Sequence, residues 1–180
     1  MMVTYPVKYE NEGEYYFKFI DGSVSEKFNI AEDFVDGYAL VKKNSDWNWQ
    51  FMDINGKLSE EYFEAYPYNC GVALTRKGQT SPYNFIDIYG NKSEDFFSAT
   101  PYEEGYSHVK REKNGKELYR DVFGRVTEEK TEVGDYAYQY MSGKIKKHQI
   151  PRHLFFDEAF RLNILSEEVR RTKAENKINQ

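Results

Sequence analysis

Three aspartates stand at a fixed distance from one another and from a glycine. Asp53, Asp87 and Asp121 each lie three residues ahead of Gly56, Gly90 and Gly124, and the step between them is 34 residues. A repeated carboxylate is a candidate for acid or base work, or for a ladder of cation ligands like that of calcium-binding glycine-aspartate repeats. Calcium, however, needs a cluster of about six to eight oxygens, and one carboxylate per repeat brings no cluster. A turn fits the spacing better. The Asp side chain accepts from backbone N–H groups two residues on, while glycine takes the positive φ that closes the reversal. Asp21 directly precedes Gly22, which predicts a tighter turn in the first copy.

Other chemistry-bearing residues are sparse. His108, His148 and His153 are the only histidines, and none has a Cys or second His at the i+3 or i+4 spacing of a zinc pair. Cys70, in "YNCGVAL", shares a column with Asp36 and Glu104. No partner base can be assigned to it, so it reads as a free thiol at a turn. Neither a phosphate loop nor a serine elbow is present. The expectation is a protein without catalytic residues, cofactor or metal.

The elements that hold these residues follow from the repeat. Gly37, Gly71 and Gly105 keep the 34-residue step, as do Ala31, Ala65, Ala99 and Val133, the rings Phe34, Tyr68, Tyr102 and Tyr136, and the rings Phe28, Tyr62 and Phe96. Within a copy the hydrophobic period is two: "WNWQFMDI" sets Trp47, Trp49 and Phe51 on one side and Asn48, Gln50 and Met52 on the other. This is the periodicity of strands. Asn114-Gly115 between two such runs predicts a two-residue type I′ hairpin, with longer loops at the same place in the other copies. The fold class read from this pattern is mainly β: an antiparallel β-hairpin repeat array of about four 34-residue units, the fourth degenerate, with a C-terminal α-helical cap.

The segments "WQFMDINGK", "YNFIDIYGN" and "LYRDVFGR", followed by "FVDGYALV", "YNCGVALT" and "YEEGYSHV", resemble the bacterial WG-repeat proteins over roughly residues 15 to 142. Gln50 and Asn84 replace the name-giving glycine, and only Trp49 keeps the tryptophan. The resemblance implies a scaffold of antiparallel strands and an interaction module without a shared catalytic site.

Charge divides the chain: residues 143–180 carry nine Lys/Arg against five Asp/Glu, or +4, leaving −9 on residues 1–142. An acidic body disfavours nucleic acid, whose binders need a positive groove. No run of about 18 apolar residues suggests a membrane span, and the N-terminal stretch lacks a signal-peptide pattern. A cytoplasmic protein is expected. Domains are placed at 1–142 for the repeats and 143–180 for a basic linker and helices. Pro151 suits a first helical position and Ser166 an N-cap. Phe156, Phe160 and Ile164 form one apolar line of the helix, with Phe155, Ala159 and Leu162 beside it. That face either caps the array or docks on a partner.

The function expected is that of a non-catalytic protein-binding repeat protein. Its acidic, Tyr-rich surface would meet a basic partner, as an inhibitor or immunity-type regulator of a nucleic-acid enzyme does. The alternative is a cell-wall or carbohydrate-binding repeat protein. Candidate partner-binding residues are Trp49, Tyr83, Tyr102, Glu103, Glu104, Phe156, Phe160, Arg170 and Arg171.

Overall fold

The structure is a computed structural model that describes residues 4–44 and 48–178; Trp47 lies outside them. The chain divides into two compact units, Thr4–Pro101 and Tyr102 onward. The first holds β1 (Val7–Asn11), β2 (Glu14–Lys18), β3 (Ile30–Ala31), β4 (Tyr38–Lys42), β5 (Gln50–Asp53), β6 (Glu64–Ala65), β7 (Val72–Arg76), β8 (Tyr83–Asp87) and β9 (Ser98–Ala99). In the second are β10 (Tyr106–Lys110), β11 (Leu118–Asp121) and β12 (Val126–Thr127), followed by α1 (Glu132–Met141) and α2 (Glu158–Ile178). The strands form four small antiparallel sheets. β1 pairs with β2, β3–β4–β5 and β6–β7–β8 form three-stranded sheets, and β10, β11 and β12 are neighbours in the last. β5, β8 and β11 end on Asp53, Asp87 and Asp121, so the sequence step is a structural step.

Strict alternation does not describe the burial. In β5, Phe51 and Met52 are 4% and 1% exposed although they point to opposite faces. Sheet β3–β4–β5 is covered on both sides. One face places Ala39, Val41 and Met52 against Phe17 and Phe28. The other places Leu40 and Phe51 against Tyr62, Tyr68 and Ala73. This second copy therefore completes its core with the copies before and after it, which is why its strands carry apolar residues in succession.

The hairpin turns lie elsewhere than the Asn-Gly pair suggested. Asp36-Gly37, Cys70-Gly71, Glu104-Gly105 and Glu12-Gly13 are the pairs with positive φ at both residues, the requirement of a type I′ turn. At Asn114-Gly115 neither residue has positive φ among those described. There the Gly115 N–H bonds the Glu112 carbonyl at 3.0 Å in an ordinary turn, within a longer connection from Lys110 to Leu118. The first Asp-Gly turn is also not tighter than the rest. Phe19, not Asp21, occupies the column of Asp53, and Gly22 N–H bonds the Phe19 carbonyl just as Gly56 N–H bonds that of Asp53, both at 3.0 Å. Asp21 sits inside the turn and caps it by accepting from the Ser23 N–H at 2.9 Å.

The fourth copy ends in helix. Thr131 accepts from the Gly134 N–H at 3.0 Å and starts α1 where Val133 and Tyr136 continued the repeat columns. Before α2, Pro151 precedes a short 3-10 turn, Arg152–Phe156, rather than opening an α-helix. Asp157, not Ser166, is the cap of α2: its carboxylate accepts from the Phe160 N–H at 2.8 Å, and the helix runs unbroken through Ser166. The 3-10 turn breaks the predicted apolar line. Phe160 and Ile164 are fully buried, whereas Phe156 is 90% exposed, and Ala159 and Leu162 face outward too.

Candidate functional site

A column of cations lies over a column of rings in residues 4–101. Lys8 Nζ stands 5.8 Å from the centroid of the Tyr15 ring, Lys42 Nζ 5.1 Å from that of Trp49, and the Arg76 guanidinium 4.9 Å from that of Tyr83. The partners keep a constant 34-residue step, and Arg76 is directly opposite Tyr83 in the β7–β8 register. The Arg76–Tyr83 pair follows from that register, since cross-strand neighbours on one face are the groups that meet; in the first copy Lys8 is opposite Phe17 and meets Tyr15 on the diagonal. All six side chains are half-buried. Each such contact contributes about 0.5–1 kcal/mol at an exposed site.

Carboxylates flank two of the three pairs. Lys8 pairs with Asp33 at 2.7 Å. The Tyr83 hydroxyl donates to Glu64 Oε2 at 2.9 Å and accepts from Arg76 Nη1 at 3.2 Å. Burial first, and the Glu64 carboxylate second, push the Tyr83 phenol above its ordinary value. Beside the column, Lys43 pairs with Glu26 at 3.2 Å and Lys77 with Glu60 one step later; Lys77 also lies 4.7 Å from the centroid of the Tyr62 ring.

Of the residues the sequence singled out, Trp49 and Tyr83 thus belong to one column. Glu103 and Glu104 are exposed, and Glu104 has φ 48° in its turn. Tyr102 is 7% exposed, with its hydroxyl on the Asp121 carbonyl at 2.7 Å and Arg120 donating to that hydroxyl. Phe160 is fully buried in its unit. Neither presents a ring to a partner. Arg170 and Arg171 hold the buried Glu167, at 2.6 and 3.0 Å to its Oε1. Arg171 also donates to the Tyr140 carbonyl at 3.0 Å and lies over the Tyr140 ring. These three residues anchor α2 on α1.

Glu167 gives a pH prediction. Burial works to raise its pKa, but the two arginines outweigh it and hold it below the usual carboxylate value. A depressed carboxylate pKa contributes stability that is complete above the unfolded-state value and is lost as pH falls through the folded-state value. Glu167→Gln is expected to cost about 1–3 kcal/mol at neutral pH, because it leaves paired charges without a partner. Urea unfolding of both proteins at descending pH should show the gap closing in the acid range; a constant gap would remove the assignment.

The repeated aspartates are turn groups. Asp87 Oδ1 accepts from the N–H groups of Tyr89 at 2.9 Å and Asn91 at 2.8 Å. Asp53 and Asp121 bond the equivalent groups of their own turns. Asp87→Asn keeps this acceptor and is expected to change stability by less than about 1 kcal/mol, whereas Asp87→Ala removes it and costs about 1–2 kcal/mol. Equal effects in chemical denaturation would contradict the turn role. Burial, with Asp36 adding to it, pushes the Cys70 thiol up to about 11, which favours the protonated thiol at neutral pH.

Two repeated features lay in the sequence unread. Ser25, Ser59 and Ser93 accept from the N–H groups of Phe17, Phe51 and Phe85 at 2.9 Å and donate to the carbonyls of Glu26, Glu60 and Glu94. The signal was a Ser-Glu dipeptide at the 34-residue step. The cation column Lys8, Lys42 and Arg76 was the other.

Among the described residues no three His, Cys, Asp or Glu side chains converge as a metal cage, and no helix is long and apolar enough to cross a membrane. No family model, curated protein or solved structure matches this chain.

Proposed function

We propose that this chain is a non-catalytic protein-binding repeat module whose acidic unit docks on a basic surface of another protein, as an inhibitor or immunity-type regulator of a nucleic-acid enzyme does. One observation carries the reading. Residues 1–101 contain sixteen Asp/Glu against nine Lys/Arg, and most of those cations are engaged internally. Lys8, Lys27, Lys43, Arg76, Lys77 and Lys92 all have carboxylate partners, and Lys42 lies over Trp49. Glu10, Glu12 and Glu32 are exposed. The outward field is therefore negative, which steers a positive partner and repels nucleic acid. The resemblance to WG-repeat interaction modules supports the same reading.

The test is a triple charge reversal. Glu10→Lys, Glu32→Lys and Glu61→Lys together should leave the fold intact and weaken capture of a panel of basic nucleases, with the wild-type interaction falling as salt rises. Capture unaffected by both salt and the reversal would overturn the proposal. A glycan-array signal lost in Trp49→Ala would favour carbohydrate instead. The cations over Trp49 and Tyr83 argue against that outcome, because a stacking sugar needs those ring faces.

A further inference from the structure

The outer face of α2 carries a seam that the rest of its unit leaves uncovered. Leu162, Leu165 and Val169 are 54%, 44% and 53% exposed, on the side of the helix opposite Phe160, Ile164 and Glu167, which are buried. Exposed Glu158 precedes them on the same stripe. The spacing from Glu158 is four, three, four, the alternation of a and d positions in a two-helix seam. Arg161 and Glu168 occupy the same flank of that stripe, seven residues apart.

We infer that this stripe is a self-association surface: α2 of a second copy of the chain packs on it antiparallel, about a two-fold axis. The pattern is self-complementary, as an isologous contact requires. Antiparallel pairing sets Arg161 of each copy beside Glu168 of the other, twice over, and puts the two Glu158 side chains at opposite ends. Parallel pairing would bury Glu158 against its own copy, a like-charge contact that is destabilising. Glu168 already accepts from Lys147 at 2.8 Å, so the incoming guanidinium would share a carboxylate held in place. The seam spans few layers, and the dimer is accordingly weak, half-formed only at tens to hundreds of micromolar by the scale of small interfaces. This contact is independent of the acidic unit and of its proposed partner.

Sedimentation equilibrium of the full chain from about 5 to about 500 µM should show a monomer–dimer equilibrium, and Leu165→Glu should shift it to monomer throughout. Leu165 is exposed, so the variant keeps the circular dichroism and unfolding midpoint of the parent. Arg161→Glu should weaken association ~tenfold, and the swap Arg161→Glu with Glu168→Arg should restore it. A monomer at every concentration overturns the proposal, as does a dimer indifferent to Leu165→Glu. A dimer broken by Leu165→Glu in which Glu168→Arg fails to restore the association weakened by Arg161→Glu overturns the antiparallel arrangement.

Discussion

Gly105→Ala is expected to destabilise the unit from Tyr102 onward by about 3–4 kcal/mol, the sum of a left-handed backbone penalty and steric overlap. Gly105 has φ +87°, and an added Cβ would lie 2.4 Å from Cβ and Cγ of Tyr138 on α1. That neighbour is the root of a ring side chain on a helix, not the free end of a flexible one, so the helix itself has to move. Gly37 supplies the control. It holds the same place in its own turn, with φ +90°, and a Cβ there meets nothing within 4 Å. Gly37→Ala should therefore show the backbone penalty alone, about 1–2 kcal/mol. Urea denaturation of the two variants measures the difference. Equal losses would mean that α1 does not rest on the turn as described.

Phe17→Ala is expected to cost about 3–5 kcal/mol, since it empties a large ring from a closed site. Phe17 is fully buried. It meets Phe28 edge-on at 6.4 Å and Phe34 at 5.3 Å between centroids, in the cluster that includes Val41 and Met52 of the next sheet. Phe17→Leu retains most of the volume and should cost less than about 1.5 kcal/mol. A small effect of Phe17→Ala in guanidinium unfolding would show that the first sheet does not share its core with the second.

Much of this fold could be read from a constant step. Columns of glycine, aspartate and rings locate the strands because each copy solves the same packing problem at the same distance along the chain. The Asp-Gly turns were legible for a local reason: both the capping acceptor and the positive-φ residue are visible as residue types. The type I′ turns were less legible because their first residue varies among Glu, Asp and Cys, and only the following glycine marks them. Asn114-Gly115 misled in the opposite way, because its intrinsic turn preference was overridden by the longer loop in which it sits. α1 was hidden by Val133 and Tyr136, which keep the repeat columns while Thr131 supplies a helix cap. Ser166 and Asp157 are both cap-forming residue types, and the 3-10 turn ending at Phe156 places Asp157, which the sequence reading passed over, at the start of the helix.

Of the candidate site, Trp49 and Tyr83 were recognised as rings but not as halves of ring–cation pairs. That partnership depends on strand register. Tyr102 was drawn from a column of rings and Phe160 from an apolar helical line, and neither signal separates a ring at the surface from one in a core.

The double-sided sheet β3–β4–β5 has an evolutionary corollary. A sheet whose two faces are met by its own neighbours is an interchangeable part, and the unit of change is the whole 34-residue copy. Duplicating that copy in register would insert a sheet whose two interfaces are already specified, whereas inserting an odd number of residues within a strand would turn the side chains that follow to the wrong face. A change in length is therefore accommodated best as a whole copy, with smaller changes placed in connections such as Lys110 to Leu118.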